Sequence, residues 1–341
     1  MATNSLPEID FVVMWVDPSD PEWQKEKRSY SPDNSYGDVE ERYRDWEIFK
    51  YWFRGVEKYA PWVRKVHLVT WGHVPEWLDV RNEKLAIVKH SDYMPKEALP
   101  TFNSSLIEMY FHKIPDLAEH FVLFNDDMFL TGGVDKDFFF HNGMPRDMLA
   151  FQPVVANESN PGMTHIYINN TLMLARHFNK RECVKKNVSG FFHMGYPPLY
   201  FWYNLLELTF PRFTGLLSVH TAAPILKSSL TEIWEKEGEA LDALKCNRFR
   251  SDNDVNHYLV RDWQMLSGRF CPTNLFRHFK YFEMQDNNDK CLGIIRKSSD
   301  KSKQKILCIN DTGKVTDFDG VKQDFIDAFE TAFEKKSSFE L

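Results

Sequence analysis

Short apolar runs alternate with helix-compatible segments in the first part of the chain. Residues 9–16 (IDFVVMWV) form a β-branched apolar run, which is typical of a buried strand that leads into a loop. Residues 66–70 and 85–88 show the same pattern, and residues 40–59 are compatible with a helix that ends at Ala60-Pro61. This alternation predicts a parallel α/β sheet.

A further helix and strand continue the alternation. Residues 103–112 are predicted to be helical, and residues 121–124 form another buried strand. Asp126 and Asp127 come directly after this strand, and Asp17 occupies the matching place after the first strand. Because open α/β sheets bind ligands at the carboxyl ends of their strands, these carboxylates lie where a ligand is expected.

The second half of the chain has a mainly helical pattern. The predicted helices there are residues 164–178, 199–208, 229–244 and 254–266, and the tail shows short predicted strands at 291–295 and 305–309 before a helix at 321–333. We therefore predict an α/β fold with a Rossmann-like, mostly parallel, GT-A-like sheet and a mainly helical second half packed on it. The predicted regions are 1–160, 161–275 and 276–341, and the pattern assigns no role to the last.

Composition limits the classes of partner. The chain has 341 residues, of which 43% are hydrophobic and 15% aromatic, so it can bury a sizeable core. With 49 acidic and 42 basic residues, its net charge of -7 disfavours nucleic acid and an anionic membrane surface. No apolar run approaches the roughly 20 residues that span a bilayer, and residues 1–7 lack a secretory signal. We expect a cytoplasmic protein with at most peripheral membrane association.

The five cysteines are odd in number and widely spread, with no CxxC pair. We expect reduced thiols that are mostly structural.

Asp126, Asp127 and Asp17 form the first candidate site. Adjacent carboxylates at a strand end are the hard oxygen ligands that Mg²⁺ or Mn²⁺ prefers, and such an ion can neutralise a nucleotide diphosphate. The alternative is that one aspartate caps a turn while the other is solvated, and spacing by itself leaves both interpretations open.

The basic stretch at residues 220–251 is the second candidate site. His220 can take a proton near neutral pH, and Arg248 and Arg250 can bind phosphate through two parallel hydrogen bonds. Phosphoryl transfer requires both kinds of group. The alternative is a histidine satisfied by a backbone carbonyl beside two solvated arginines.

Residues 99–104 (LPTFNS) precede Glu108 and His112, which share one helix face, and form a third candidate. A loop followed by a helix N-terminus offers free amides to an anion. An ordinary capped helix explains the same pattern.

Read together, these segments resemble the Stealth family, which includes bacterial capsular polysaccharide phosphotransferases and the catalytic subunit of the lysosomal N-acetylglucosamine-1-phosphotransferase. The resemblance lies in ordered blocks at residues 9–17, 44–45, 54–70, 75–78, 92, 99–104, 108, 112–115, 124–130, 220–227 and 247–255. It implies transfer of a sugar 1-phosphate from a UDP-sugar donor to a glycan acceptor, with UMP as leaving group and Mg²⁺ or Mn²⁺ at the diphosphate. An acceptor carried on a lipid at the inner face of the membrane is compatible with such a pathway.

Residue roles also follow from the resemblance. Asp126 and Asp127 would hold the metal, with Asp127 also catalytic, and His220 would be the general base that activates the acceptor hydroxyl. Arg250 would stabilise charge on the transferred phosphate. The remaining residues expected at the substrate are Trp15, Asp17, Asp45, Arg54, Asn103, Ser104, Lys227 and Arg248.

The chain departs from the family pattern at two places. Ile48 stands where a glutamate is usual and Lys50 where an arginine is usual, and residues 71–73 (WGH) replace a common Asn/Asp-Gly-Gln pattern. We expect these changes to bear on which sugar is accepted.

Two other functions compete with phosphoryl transfer. A UDP-sugar glycosyltransferase would use the same aspartates and metal but would attack the anomeric carbon and release UDP. A non-catalytic carbohydrate-binding protein would use some of the ten tryptophans and 28 phenylalanines to stack on sugars, although these aromatics are equally suited to a core.

Overall fold

The computed structural model describes residues 7–31, 44–158 and 160–341, so residues 40–43 of the first predicted helix lie outside the described residues. The strands are β1 (Ile9–Met14), β2 (Val66–Thr70), β3 (Leu85–Lys89), β4 (His120–Phe124), β5 (Met128–Leu130), β6 (Phe140–His141), β7 (Met144–Asp147), β8 (Ala223–Leu226), β9 (Cys271–Pro272), β10 (Phe279–Glu283) and β11 (Ile306–Asn310).

The helices lie between and after these strands. They are α1 (Pro21–Tyr30), α2 (Phe49–Tyr59), α3 (His90–Tyr93), α4 (Ser104–Met109), α5 (Lys136–Phe139), α6 (Pro161–His177), α7 (Lys180–Lys186), α8 (Val188–Phe191), α9 (Pro198–Glu207), α10 (Lys227–Asp242), α11 (His257–Leu266), α12 (Asp289–Arg296) and α13 (Phe318–Ala332). Among the described residues, no helix is long and apolar enough to cross a lipid bilayer.

The main sheet has the strand order β3-β2-β1-β4-β8. β1 pairs in parallel with both β2 and β4, and β2 pairs in parallel with β3. The prediction of a mixed α/β fold with a parallel sheet is therefore confirmed. β8 runs antiparallel to β4, and the short sequence APIL gave no separate signal for this strand.

The central strands β1, β2 and β4 are buried on both faces, which explains why they are almost entirely apolar. Successive side chains of a strand point to opposite faces, so Phe11 and Val13 of β1 join one core cluster and Val12 joins another. The first cluster also contains α2 and α13, and the second contains α4 and α11. The beginning and the end of the chain thus share one core.

The predicted helices of the second half are confirmed to within a few residues as α6, α9, α10 and α11. The first predicted helix is shorter than expected, because among residues 44–59 the helix begins only at Phe49. The predicted strand at residues 291–295 is wrong, since this segment belongs to α12. Its buried positions Cys291, Leu292 and Ile295 follow helical spacing, which a run of five residues is too short to reveal.

A second sheet, of order β10-β11-β5, joins the tail to the middle of the chain. β11 runs antiparallel to β5, with Cys308 opposite Met128, and β10 runs parallel to β11. Because β5 begins directly after Asp127, this pairing brings the tail to the acidic pair.

Candidate active site

A cavity of about 1420 Å³ opens at the carboxyl edge of the main sheet. Trp15 follows β1, Trp71 follows β2 and the acidic pair follows β4, and all of them line it. Among the residues predicted for the site, those that line the cavity are Trp15, Asp45, Ser104, Asp126, Asp127, His220 and Arg250. Since small-molecule pockets usually measure roughly 300 to 1,000 Å³, there is room for a nucleotide sugar together with part of an acceptor.

Asp127 lies at the meeting point of three chain segments. Its Oδ2 accepts a hydrogen bond from the Cys308 thiol at 3.2 Å and lies 3.5 Å from Nε2 of His220. Its backbone carbonyl accepts from the Ile309 amide at 2.8 Å. One potential ligand atom from each of Asp127, His220 and Cys308 lies within 4.8 Å of the other two.

The carboxylates of the acidic pair have the properties of a cation site. Asp127 Oδ1 is buried and has no hydrogen-bond partner, which is costly for a charged oxygen. The Asp126 side chain opens into the cavity, yet the protein around it desolvates its carboxylate, and together with the charge of Asp127 this raises the pKa of Asp126 to about 7. A divalent cation would relieve both effects, so the residues present fit Mg²⁺ or Mn²⁺.

His220 is oriented by α11. Its Nδ1 lies 3.1 Å from the hydroxyl of Tyr258, and its side chain is 30% exposed toward the cavity. When Nδ1–H donates to the tyrosine oxygen, Nε2 carries a free lone pair. His220 can then accept a proton on the side of the ring that faces Asp127.

Arg250 lies on a loop that buried polar groups hold in place. Its Nη2 donates to the Ser104 hydroxyl at 2.9 Å, a neutral partner that leaves the guanidinium charge available to an anion. Asp254 accepts from Asn103 Nδ2 at 2.8 Å and from the Ser251 amide at 2.9 Å. Asn103 is fully buried and does not line the cavity, and its side chain contacts this loop instead.

Two further acidic residues, Asp17 after β1 and Asp45 before α2, lie close enough to interact electrostatically. Asp17 does not line the cavity itself, but its amide donates to His73 Nε2 at 2.7 Å, and the His73 ring lies edge-on to Trp15. Asp45 lines the open cavity, and desolvation by the protein around it, together with the charges of Glu47 and Asp17, raises the pKa of Asp45. The Asp45 carboxylate therefore adds to the attraction of the cavity for a cation.

Besides Asn103 and Asp17, three further predicted residues do not line the cavity. Arg54, which was expected at the donor, is buried and pairs with Glu340 at 2.8 Å, so it holds the end of the tail against α2 and does not line the cavity. Lys227 donates to the Leu117 carbonyl at 3.3 Å. Arg248 donates to the Pro100 carbonyl at 2.5 Å, which fixes the loop next to Arg250 without placing the guanidinium in the cavity.

The tail supplies a wall of the cavity that the sequence did not predict. Tyr281 on β10 and Lys314 after β11 line it, and Cys308 contacts Asp127 from β11. Sequence separations of more than 150 residues hide this proximity. The one available signal was the apolar run at residues 305–309, which was predicted as a strand but without a partner.

Glu108 and His257 form a second pair at the cavity, and the sequence pattern had indicated only Glu108. Glu108 Oε1 accepts from the His257 amide at 2.7 Å and its Oε2 lies 3.0 Å from His257 Nδ1. Both residues line the cavity, whereas His112, the other residue noted on this helix face, does not. Burial lowers the pKa of His112 to about 4.

Conserved regions of the Stealth family match this chain. Stealth protein CR1, conserved region 1, matches residues 7–35, and Stealth protein CR2, conserved region 2, matches residues 42–147. The second region ends at Asp147 and therefore includes the acidic pair.

Whole-length relatives are bacterial phosphotransferases. The chain is 42% identical to the capsular polysaccharide phosphotransferase WcwK of Streptococcus pneumoniae, over 99% of both chains. It is 37% identical to the receptor polysaccharide phosphotransferase WefC of Streptococcus gordonii, over 98% of this chain and 100% of that one. It is 36% identical to the exopolysaccharide phosphotransferase cps2G of Lactiplantibacillus plantarum, over 100% and 98%.

Among solved structures, mouse xyloside xylosyltransferase 1 in its apo form aligns with 88% of this chain and 97% of its own length. The TM-score is 0.33 and the sequence identity is 8%, so this likeness carries no argument about fold or function.

Proposed function

Since the chain belongs to the Stealth family and is a sugar-phosphate transferase, we propose that it moves a hexose 1-phosphate from a UDP-sugar to a hydroxyl of a glycan acceptor. UMP is the second product. The reaction serves the synthesis of a capsular or related extracellular polysaccharide, as the names of its relatives indicate.

One relationship carries the proposal. A proton acceptor, His220, lies 3.5 Å from a carboxylate suited to a cation, Asp127, and Arg250 lines the same cavity. A base, a cation site and a guanidinium are the three elements that phosphoryl transfer requires around one phosphorus atom.

The proposed step is an in-line displacement at the β-phosphorus of the donor. The acceptor oxygen forms a bond to this phosphorus while the bond from the phosphorus to the bridging oxygen of UMP breaks, and the electron pair leaves with UMP. His220 Nε2 takes the proton of the attacking hydroxyl. Arg250, held by Ser104, stabilises the charge on the non-bridging oxygens of the transferred phosphate.

Asp126 and Asp127 would hold the divalent cation, Mg²⁺ or Mn²⁺. When bound, it neutralises charge on the diphosphate as a Lewis acid. We propose that Trp15 and Asp45 line the nucleotide end of the cavity, with Asp17 close to Asp45. We further infer a GT-A-like arrangement, because the strands β3-β2-β1-β4 are parallel and an acidic pair lies at their carboxyl edge, directly after β4.

The nucleotide product tests the proposal. Purified protein is incubated with a panel of UDP-sugars, glycan acceptors and Mn²⁺ or Mg²⁺, and UMP and UDP are separated by ion-exchange chromatography. We expect acceptor-dependent UMP release that EDTA abolishes and added metal restores. Release of UDP without UMP in the presence of acceptor would overturn the proposal in favour of a glycosyltransferase.

An aspartate variant adds a specific test of the metal site. Asp126→Asn is expected to weaken activation by Mn²⁺ and to lower UMP release, whereas Asp116→Asn changes an exposed aspartate outside the cavity and serves as control. If Asp126→Asn kept full activity at every metal concentration, the assignment of the acidic pair would be wrong.

A further inference from the structure

Residues 188–210 expose an unusual concentration of large apolar side chains. Met194 is 93% exposed, Trp202 64% and Leu206 59%. More than half of the exposed large hydrophobic residues in the described part of the chain lie here, namely Val188, Met194, Leu199, Phe201, Trp202, Leu205, Leu206, Leu208 and Phe210. Soluble monomers rarely expose a contiguous apolar surface of this kind without a partner for it.

An ordinary surface helix buries its apolar side chains and exposes its polar ones, and helix α9 does the opposite. Its buried residues are the polar Asn204 and Glu207, whereas Trp202 and Leu206 face outward. Asn204 Oδ1 accepts from the Phe151 amide at 2.7 Å, and Glu207 accepts from Lys180 Nζ at 2.8 Å. The fold therefore anchors α9 through polar bonds and displays its apolar side chains.

Basic side chains lie beside this apolar surface. Arg181, Lys185 and Lys186 on α7 are exposed, and so is Arg212 after α9. Lys180, on the same helix, donates to the Arg212 carbonyl at 3.0 Å, which ties the two basic segments together. This local excess of positive charge opposes the net charge of -7 of the whole chain.

We propose that residues 180–212 dock on the surface of a membrane that contains anionic lipids. Trp, Phe and Leu side chains on one side with Lys and Arg next to them are the features of a helix that lies in the membrane interface. At ten residues α9 is about 15 Å long, far too short to cross a bilayer. The apolar side chains enter the acyl boundary and the basic ones contact lipid phosphates.

The docking surface contacts a segment of the chain that also reaches the cavity. Phe151 stacks on Phe191 of α8 with ring centroids 4.7 Å apart, and Asn157, six residues later, lines the cavity. Six extended residues span at most about 20 Å. A membrane at this surface would keep a lipid-carried acceptor near His220, and only this consequence rests on the proposed function.

Vesicle sedimentation tests the docking of the full chain. Vesicles of phosphatidylglycerol with phosphatidylcholine are compared with vesicles of phosphatidylcholine alone. We expect binding to the anionic vesicles and at least roughly tenfold weaker binding for Trp202→Glu/Leu206→Glu and for Lys185→Glu/Lys186→Glu. Val80→Glu changes an apolar side chain that is 52% exposed elsewhere, and this control should bind like the unmodified protein.

Two further readouts separate the outcomes. UMP release from a water-soluble acceptor should be unchanged in Trp202→Glu/Leu206→Glu, so a failure of the docking proposal is distinct from a failure of the proposed function. Absence of the unmodified protein from pelleted anionic vesicles would overturn the proposal. A dimer in analytical ultracentrifugation that this variant dissociates, without vesicle binding, would assign the surface to a second copy of the chain and would also overturn it.

Discussion

The thiol of Cys308 donates a hydrogen bond to Oδ2 of Asp127 across 3.2 Å, so that a residue of the C-terminal tail contacts the acidic pair after β4. All five cysteines are free, and Cys308 is fully buried. Burial and the neighbouring charge of Asp127 raise the pKa of the Cys308 thiol well above its ordinary value. It therefore acts as a neutral donor that orients a carboxylate.

Removing this donor should impair the reaction without unfolding the chain. Cys308→Ala leaves Asp127 Oδ2 without that partner, and we expect UMP release to fall about tenfold, the equivalent of one hydrogen bond to a charged group. Cys308→Ser keeps a donor and should retain more activity than Cys308→Ala. Cys246→Ala, at an exposed cysteine, is the control. Equal activities of the two Cys308 variants would contradict the role assigned to the thiol.

Replacing the proposed base should lower the turnover number more than the affinity for the donor. For His220→Ala we expect kcat to fall by roughly 10²- to 10⁴-fold with a small change in KM for the UDP-sugar, because proton removal is required in the transition state. His141→Ala, at a half-exposed histidine paired with Asp137, should behave like the unmodified protein. Activity of His220→Ala close to that of the control would exclude His220 as the base.

Asn103 should matter both for stability and for activity. Asn103→Ala removes the buried donor to Asp254, and we expect a loss of about 2 kcal/mol in the free energy of unfolding. Because the loop that carries Arg250 loses a support, UMP release should also fall at temperatures where the variant is fully folded. Thermal unfolding and a parallel assay measure the two effects, with Asn287→Ala, at an exposed asparagine, as control. A stability loss with unchanged activity would show that the loop does not position Arg250.

Asp10 should make the fold sensitive to acid. Although burial acts to raise it, hydrogen bonds from His67, Arg64 and the Ala118 amide hold the pKa of Asp10 below its ordinary value. A carboxyl whose folded pKa is depressed stabilises the fold above its unfolded pKa of about 4 and loses this effect as the pH falls through the folded pKa. We expect the unfolding free energy to fall below about pH 4 in the unmodified protein.

The variant Asp10→Asn isolates this contribution. It should cost about 3 kcal/mol at neutral pH, because Arg64 and His67 lose the buried negative charge to which they are hydrogen-bonded. The stability of this variant should also depend less on pH below 4. Asp116→Asn removes an exposed partner of the same Arg64 and should cost far less. Denaturant unfolding across the pH range measures both, and identical pH profiles for Asp10→Asn and the unmodified protein would refute the assignment.

The end of the chain should be needed for stability. Glu340 and Arg54 form a buried pair at 2.8 Å, whereas Glu330, a second partner of Arg54, is 43% exposed. Glu340→Gln should therefore cost about 3 kcal/mol of unfolding free energy. Glu330→Gln should cost less than about 1 kcal/mol. Equal effects in chemical denaturation would contradict the view that burial decides the strength of these pairs.

The sequence by itself determined the centre of the main sheet. The central strands β1, β2 and β4 are buried on both faces, and such strands can be identified from local composition because most of their positions are apolar. The position of Asp126 and Asp127 could be predicted from the strand that precedes them. A residue directly after a parallel strand lies at the carboxyl edge of the sheet, whatever fold the rest of the chain adopts.

Only the tertiary structure decided what surrounds this edge. The pairing of β11 with β5, the contact of Cys308 with Asp127 and the burial of Arg54 against Glu340 join residues far apart in sequence. Helix α9 looks like any other apolar helix in sequence, and its outward display of Trp202 became evident only once Asn204 and Glu207 were seen to be buried. Local patterns show which residues prefer to be buried, whereas the competition among all segments for one core determines which of them are.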